Sequence, residues 1–194
     1  TGATFSANGA WLLTASRDGT AAVWDAHTGR QLAHLQAPVL ALGAVTASFS
    51  ADGATVLTAG PDSVARLWNW RRGTPPLALQ VSTADVTTAA FSPDGTLVAT
   101  GSKDGTARLW QARTGHLLYA LPGHTGSITS VTFSPDGTRL VTTSDDTTAR
   151  LWQVAGGKAL AVLSGHTAAV TSAAFSRDGS LLATASADDT ARLW

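Results

Sequence analysis

The chain has 194 residues, 44% of them hydrophobic, enough to bury a sizeable core in one domain or two small ones. Thirteen Lys+Arg balance thirteen Asp+Glu, which argues against a nucleic-acid binder held by bulk charge. Cysteine is absent, which excludes disulfide scaffolds, thiolate zinc sites and cysteine nucleophiles. No apolar run approaches the roughly 18 residues of a membrane-spanning helix. Every acid is Asp and none is Glu. Asp favours turns and caps, so the chain reads as turn-rich and helix-poor. Methionine is missing too, position 1 included, and the expectation is a processed chain or a fragment.

Along the chain, Phe5-Ser6, Phe49-Ser50, Phe91-Ser92, Phe133-Ser134 and Phe175-Ser176 recur at intervals of 44, 42, 42 and 42 residues. Trp24, Trp68, Trp110, Trp152 and Trp194 keep the same intervals. Between each Phe and its Trp lie a turn, an apolar run, a Thr and an Asp-containing turn. The fourth copy illustrates the pattern. Thr129 to Phe133 alternates as a strand, and Pro135-Asp136-Gly137 turns the chain. Arg139 to Ser144 is the second strand, Thr148 to Trp152 the third and Ala159 to Leu163 the fourth. No window carries a sustained helical period. Four antiparallel strands per 42 residues make a propeller blade, so the fold class is all-β. The predicted blades span residues 1–35, 36–79, 80–121, 122–163 and 164–194, about 4.6 blades in all, the first and last truncated.

Gly123-His124, Phe133-Ser134-Pro135-Asp136-Gly137, Ser144-x-Asp146 and Leu151-Trp152 together resemble the WD-repeat family of β-propellers. The resemblance covers essentially the whole chain. Only Trp24-Asp25 keeps the name-giving dipeptide, and Gly-His survives only at Gly123-His124 and Gly165-His166. Val39-Leu40 and Val81-Ser82 stand at the equivalent positions in the second and third blades. Since the family most often has about seven blades, the resemblance implies an open arc of a larger ring, with a tight five-bladed ring as the alternative. An open arc would expose apolar area around Leu13, Val23, Leu181 and Leu193 and leave strand edges open to self-association.

His, Asp and Thr recurring together invite a hydrolase reading. The fourth blade brings His124, Thr142, Asp146 and Trp152, and the fifth His166, Thr184, Asp188 and Trp194. Their donors and acceptors close into a chain from indole to hydroxyl to imidazole to carboxylate. This resembles the family's structural tetrad, which implies a staple between the loop leading into the blade and the turn after its second strand. A catalytic set would need an exposed nucleophile and an oxyanion site. Partial tetrads are Thr14/Asp18/Trp24, Thr58/Asp62/Trp68 and Thr100/Asp104/Trp110, whose loops are expected to be held less tightly. The Asp145-Asp146 and Asp188-Asp189 pairs lack the spacing of a calcium loop, and His27, His34 and His116 are isolated, so neither metals nor other cofactors are expected. Arg66, Arg108, Arg150 and Arg192 each stand two residues before a Trp; each is expected to pack its stem on a neighbouring blade and meet a carboxylate from an adjoining turn. Trp70 and Arg71-Arg72 have no equivalent in other blades.

Function should reside where the repeats differ. On the end formed by the lead-in loops and the second-to-third-strand turns, the residue before each tetrad Asp reads Arg17, Pro61, Lys103, Asp145 and Ala187. The lead-in loops read Ala41/Gly43, Thr83/Asp85, Thr125/Ser127 and Thr167/Ala169. Arg17, Asp85, Lys103, Thr125, Ser127 and Asp145 are therefore the candidate partner-binding residues. The resemblance implies a non-catalytic scaffold for protein or peptide partners. The alternative is a sensor or regulatory segment of a larger signalling enzyme such as a kinase or NTPase, and a cytoplasmic location is expected.

Overall fold

The computed structural model describes residues 2–36 and 46–194. The loop residues Val39, Leu40, Ala41 and Gly43 lie outside the described residues. Five separate antiparallel sheets follow one another along the chain. The first holds β1 (Gly2–Phe5), β2 (Trp11–Ala15), β3 (Thr20–Asp25) and β4 (Gln31–Gln36). The second holds β5 (Thr46–Phe49), β6 (Val56–Ala59), β7 (Val64–Trp68) and β8 (Leu77–Gln80). The third holds β9 (Val86–Phe91), β10 (Leu97–Ser102), β11 (Ala107–Gln111) and β12 (Leu117–Leu121). The fourth comprises β13 (Ile128–Phe133), β14 (Arg139–Ser144), β15 (Ala149–Gln153) and β16 (Lys158–Leu163). The fifth has three strands, β17 (Val170–Phe175), β18 (Leu182–Ser186) and β19 (Ala191–Leu193). There is no helix among the described residues. In the fourth blade the second strand has its expected limits, and the others lie within one residue of theirs.

The Phe-Ser-x-Asp-Gly stretch becomes a turn because its serine is knotted into it. Ser134 Oγ donates to Asp136 Oδ1 at 2.5 Å and accepts from the Arg139 amide at 2.9 Å, while Asp136 Oδ1 accepts from the Thr138 amide at 3.0 Å. Gly137 closes the turn at φ 70°, a conformation that costs glycine little. The bonds from Ser134, then those from Thr138, hold the Asp136 carboxyl down at about 2. Asp94 and Asp178 hold their turns in the same way.

Pleating sorts each strand onto two faces. In the fourth blade Phe133, Leu140 and Trp152 stand in one row across the sheet. They pack with Ala99 and Leu109 of the third blade. Val141 and Leu151 form the next row and pack with Leu182, Phe175 and Trp194 of the fifth. The core therefore lies between blades, and the same rows recur at the other two junctions. Thr87 Oγ1 in β9 reaches across to the Ile128 carbonyl at 2.6 Å, and Thr129 in β13 to the Val170 carbonyl, stitching successive innermost strands.

The end blades depart from the expectation in one respect. Leu13 and Val23 are 1% and 0% exposed, because their row faces the second blade and packs with Val56 and Trp68. The uncovered row of the first blade is Phe5–Leu12–Trp24, with Phe5 63% exposed. Leu181 and Leu193 are exposed as expected. The sheets form an open arc.

Candidate functional site

The up-and-down meander places alternate turns at opposite ends. At the upper end the lead-in loops of the third, fourth and fifth blades meet the turns between second and third strands: the amides of Lys103, Asp145 and Ala187 donate to the carbonyls of Asp85, Ser127 and Ala169. At the lower end the two remaining turns touch: the amides of Ala26, Ala112 and Val154 donate to the carbonyls of Ala10, Thr96 and Thr138.

The tetrads assemble at the upper end of the fourth and fifth blades. Trp152 Nε1 donates to Thr142 Oγ1 at 3.0 Å, leaving the threonine proton for His124 Nε2 at 2.8 Å. His124 Nδ1 therefore carries the other proton and donates it to Asp146 Oδ2 at 2.8 Å. The carboxylate also accepts from the Thr125 amide at 3.0 Å and from Thr148 Oγ1 at 2.7 Å. His166, Thr184, Asp188 and Trp194 repeat the arrangement, with the Thr167 amide on Asp188 at 2.9 Å.

Burial holds the His124 imidazole below its ordinary range, against the pull of Asp146, which favours the neutral ring the chain of bonds requires. For Asp146, burial acts upward, but the bonds from Thr148, His124 and the Thr125 amide outweigh it and hold the carboxyl at about 2. Each tetrad thus fastens the lead-in loop to the turn below it.

Only half of this device persists elsewhere. Trp24, Trp68 and Trp110 donate to Thr14, Thr58 and Thr100 at 2.9, 2.8 and 3.0 Å. Their Asp residues, with no imidazole to meet, are held differently. Asp62 pairs with Arg66 at 2.6 Å and Asp104 with Arg108 at 2.9 Å, each within its own hairpin. Asp18 accepts from the Thr20 amide and hydroxyl at 3.0 and 2.7 Å.

The arginines therefore divide by context. Arg66 and Arg108 do meet carboxylates, from the turns of their own blades. Arg150 and Arg192 instead lie against the backbone of Gly123 and Gly165, where an added methyl would come within 2.7 and 3.0 Å of the guanidinium. Their expected carboxylates are already occupied by histidine.

The candidate partner-binding residues all lie at the upper end. Arg17, Thr125 and Asp145 are exposed and Ser127 is half-buried. Lys103 and Asp85 face one another at 2.7 Å in an exposed ion pair, which clips the third blade's lead-in loop in place of the missing tetrad. Ser82 and Ser102 hydroxyls meet beside it at 3.2 Å. Trp70 and Arg71 lie at the lower end. The Trp70 indole donates to the Gly53 carbonyl at 2.9 Å, and the Arg71 guanidinium carbon lies over the Trp11 and Trp70 rings at 4.4 and 5.1 Å from their centroids.

Sequence reasoning missed the stitching threonines, although Thr87 and Thr129 share one place in the repeat, four residues before Phe91 and Phe133.

Comparison with known proteins agrees with this geometry. The family described as WD domain, G-beta repeat matches residues 1–25, 29–69, 73–111, 115–153 and 157–194. The second matched unit runs from β4 of one sheet through β7 of the next, so the family's repeat is offset by one strand from the structural blade. No curated protein matches the chain. Repeats of this kind generally mediate protein–protein interaction and are generally non-catalytic. Five consecutive matches along its whole length place the chain in the WD-repeat family.

Proposed function

We propose that the chain is a non-catalytic scaffold that binds peptides or protein domains on its upper face. One observation carries this reading: the His, Asp and Thr groups that would supply chemistry are engaged with one another. Thr142 and Thr184 each serve an indole and an imidazole at once, and both are buried. A nucleophile held in that way has no room for a substrate.

The framework is the same from blade to blade, so recognition falls to the positions that differ, led by Arg17, Lys103, Asp85 and Asp145, with Thr125 and Ser127 beside them. Arg17 and Asp145 offer opposite charges on separate blades, a pattern suited to orienting a partner. The test is to select peptides from a random library on the chain and measure their affinity for R17E and D145K. Loss of about tenfold or more in at least one variant supports the assignment. Ligands that bind both variants as well as the parent overturn it.

A further inference from the structure

The chain is neutral overall, but its charges are unevenly divided between its two ends. Arg30, Arg71, Arg72, Arg113, Lys158 and Arg177 all stand in or beside the lower turns, and all are exposed. Among the described residues none of the six is within ion-pair distance of a carboxylate, although Arg71 is near enough to Asp52 to help the Ser50 hydroxyl lower its pKa. With Arg139, seven cations stand there against Asp25, Asp52, Asp94, Asp136 and Asp178, a surplus of two. Those five carboxylates are occupied by their own turns, each accepting backbone amides, four of them a serine or threonine hydroxyl besides.

One point on this face is prepared in advance. Trp70 is tied to the Gly53 carbonyl and meets Trp11 edge-on with ring centroids 5.4 Å apart. Arg71 rests on both rings. A cation held over aromatic rings is attracted through its charge rather than through its N–H donors, and the contact restricts the side chain. Arg72 stands beside it, exposed. The two rings also pack on the core between the first two blades, and Arg139 lies over Phe175 at 5.6 Å between the fourth and fifth, but the paired Trp with adjacent Arg occurs here alone among the described residues.

We infer that the lower face binds an acidic segment of a protein partner, anchored by Arg71 and Arg72 over Trp11 and Trp70. Arginine's fork matches carboxylates, and a Trp–Arg cluster has the composition of a binding hot spot. The interspersed Asp residues tolerate spaced carboxylates and repel a continuous phosphate backbone, and a surplus of two charges is too small to hold nucleic acid by counterion release. This face lies opposite the one proposed above, so the scaffold has two independent docking ends.

The probe is a labelled peptide of alternating Glu and Gly, titrated at low salt while tryptophan fluorescence is recorded. Binding should shift the emission and weaken at least about tenfold in R71E/R72E. Arg71→Lys should lose part of the affinity, because a point charge cannot fork. Equal binding by R71E/R72E overturns the inference. So does tighter binding of an oligonucleotide of the same charge, or of vesicles containing anionic lipid. Upper-face ligands that still bind R71E/R72E separate a failure here from a failure of the scaffold reading.

Discussion

The third and fourth blades share strand order, turn chemistry and the indole–threonine bond, yet they hold their Asp residues in different ways. In the fourth, Asp146 reaches up to His124 and the Thr125 amide, so the carboxylate joins two segments 22 residues apart. In the third, Asp104 reaches Arg108, four residues away in its own hairpin. The same arginine position serves both blades. Where histidine is present the guanidinium lies on a glycine, and where histidine is absent it moves to the carboxylate. The difference teaches that the Asp finds a partner in both blades, but that with histidine the carboxylate itself ties the lead-in loop down, whereas in the third blade Lys103 and Asp85 do so beside it.

Arginine should matter most where it has replaced histidine. In the second blade the Arg66 and Asp62 side chains are 9% and 8% exposed. Arg66→Ala strands a buried carboxylate, with an expected loss of about 3–5 kcal/mol. Arg150→Ala in the fourth blade removes a guanidinium that rests on Gly123 and should cost far less. Urea unfolding of the two variants measures the gap; equal losses would break the comparison.

His124→Ala removes two buried hydrogen bonds and is expected to cost about 2–3 kcal/mol. Asp146 then stands in the position of Asp104, and Arg150 should swing onto it. A crystal structure of H124A should show that pair. Urea unfolding of H124A/R150A should give a loss larger than the two single losses combined. Strict additivity would mean that the arginine does not move.

The same contrast has a pH signature. His124 is held below its ordinary range, so the unfolded state takes up its proton first as acid is added. The fourth blade's contribution is full above about pH 6.5 and declines as pH falls below it. Asp146, held at about 2, adds a second loss as pH falls from its unfolded value near 4 toward 2. The stability difference between the parent and H124Q, followed from pH 8 to 5, should shrink. A flat difference would show that the imidazole is not held neutral.

A smaller effect concerns the loops alone. The Thr125 amide donates to Asp146, whereas Asp104, turned toward Arg108, leaves Thr83 no carboxylate at the matching place. Hydrogen exchange should be slower at Thr125 and Thr167 than at Thr83, by about one hydrogen bond's worth of protection, roughly 1 kcal/mol. The Lys103–Asp85 pair supports the third blade's loop, so K103A should speed exchange at Thr83 further.

The fold was legible because every level of the pattern repeats: the Phe row, the turn serines, the Trp and the tetrad spacing all return at the same period. The full tetrads were equally legible, since their four side chains form a closed set of donors and acceptors. The fate of the arginines was not. Arg108 and Arg150 occupy identical sequence contexts on their own strands, and what separates them is a histidine in a loop that folding brings alongside. Leu13 and Val23 were misassigned for a related reason: strand alternation shows that two faces exist, but only the direction of stacking shows which of them a neighbour covers. The cation cluster over Trp11 and Trp70 joins two blades and has no repeat to announce it.

The turn after each tetrad Asp sharpens the comparison at its finest level. Its next residue has positive φ in every blade: Gly19 at 84°, Ser63 at 64°, Gly105 at 73°, Thr147 at 70° and Asp189 at 63°. A β-branched residue in the left-handed region is strained by about 1–2 kcal/mol, and Thr147 accepts that strain where the third blade uses glycine. Thr147→Gly relieves it, while the extra freedom of glycine in the unfolded chain takes back about 0.5–1 kcal/mol. A net gain of about 0.5–1 kcal/mol is expected, read as a higher urea midpoint at unchanged slope. The reverse change is not symmetrical. A methyl on Gly105 would lie 2.6 Å from the His124 carbonyl oxygen, so Gly105→Ala should destabilise by more than T147G stabilises. If the two changes prove equal and opposite, strain in the turn alone governs the position and the close approach of the next blade's lead-in loop does not.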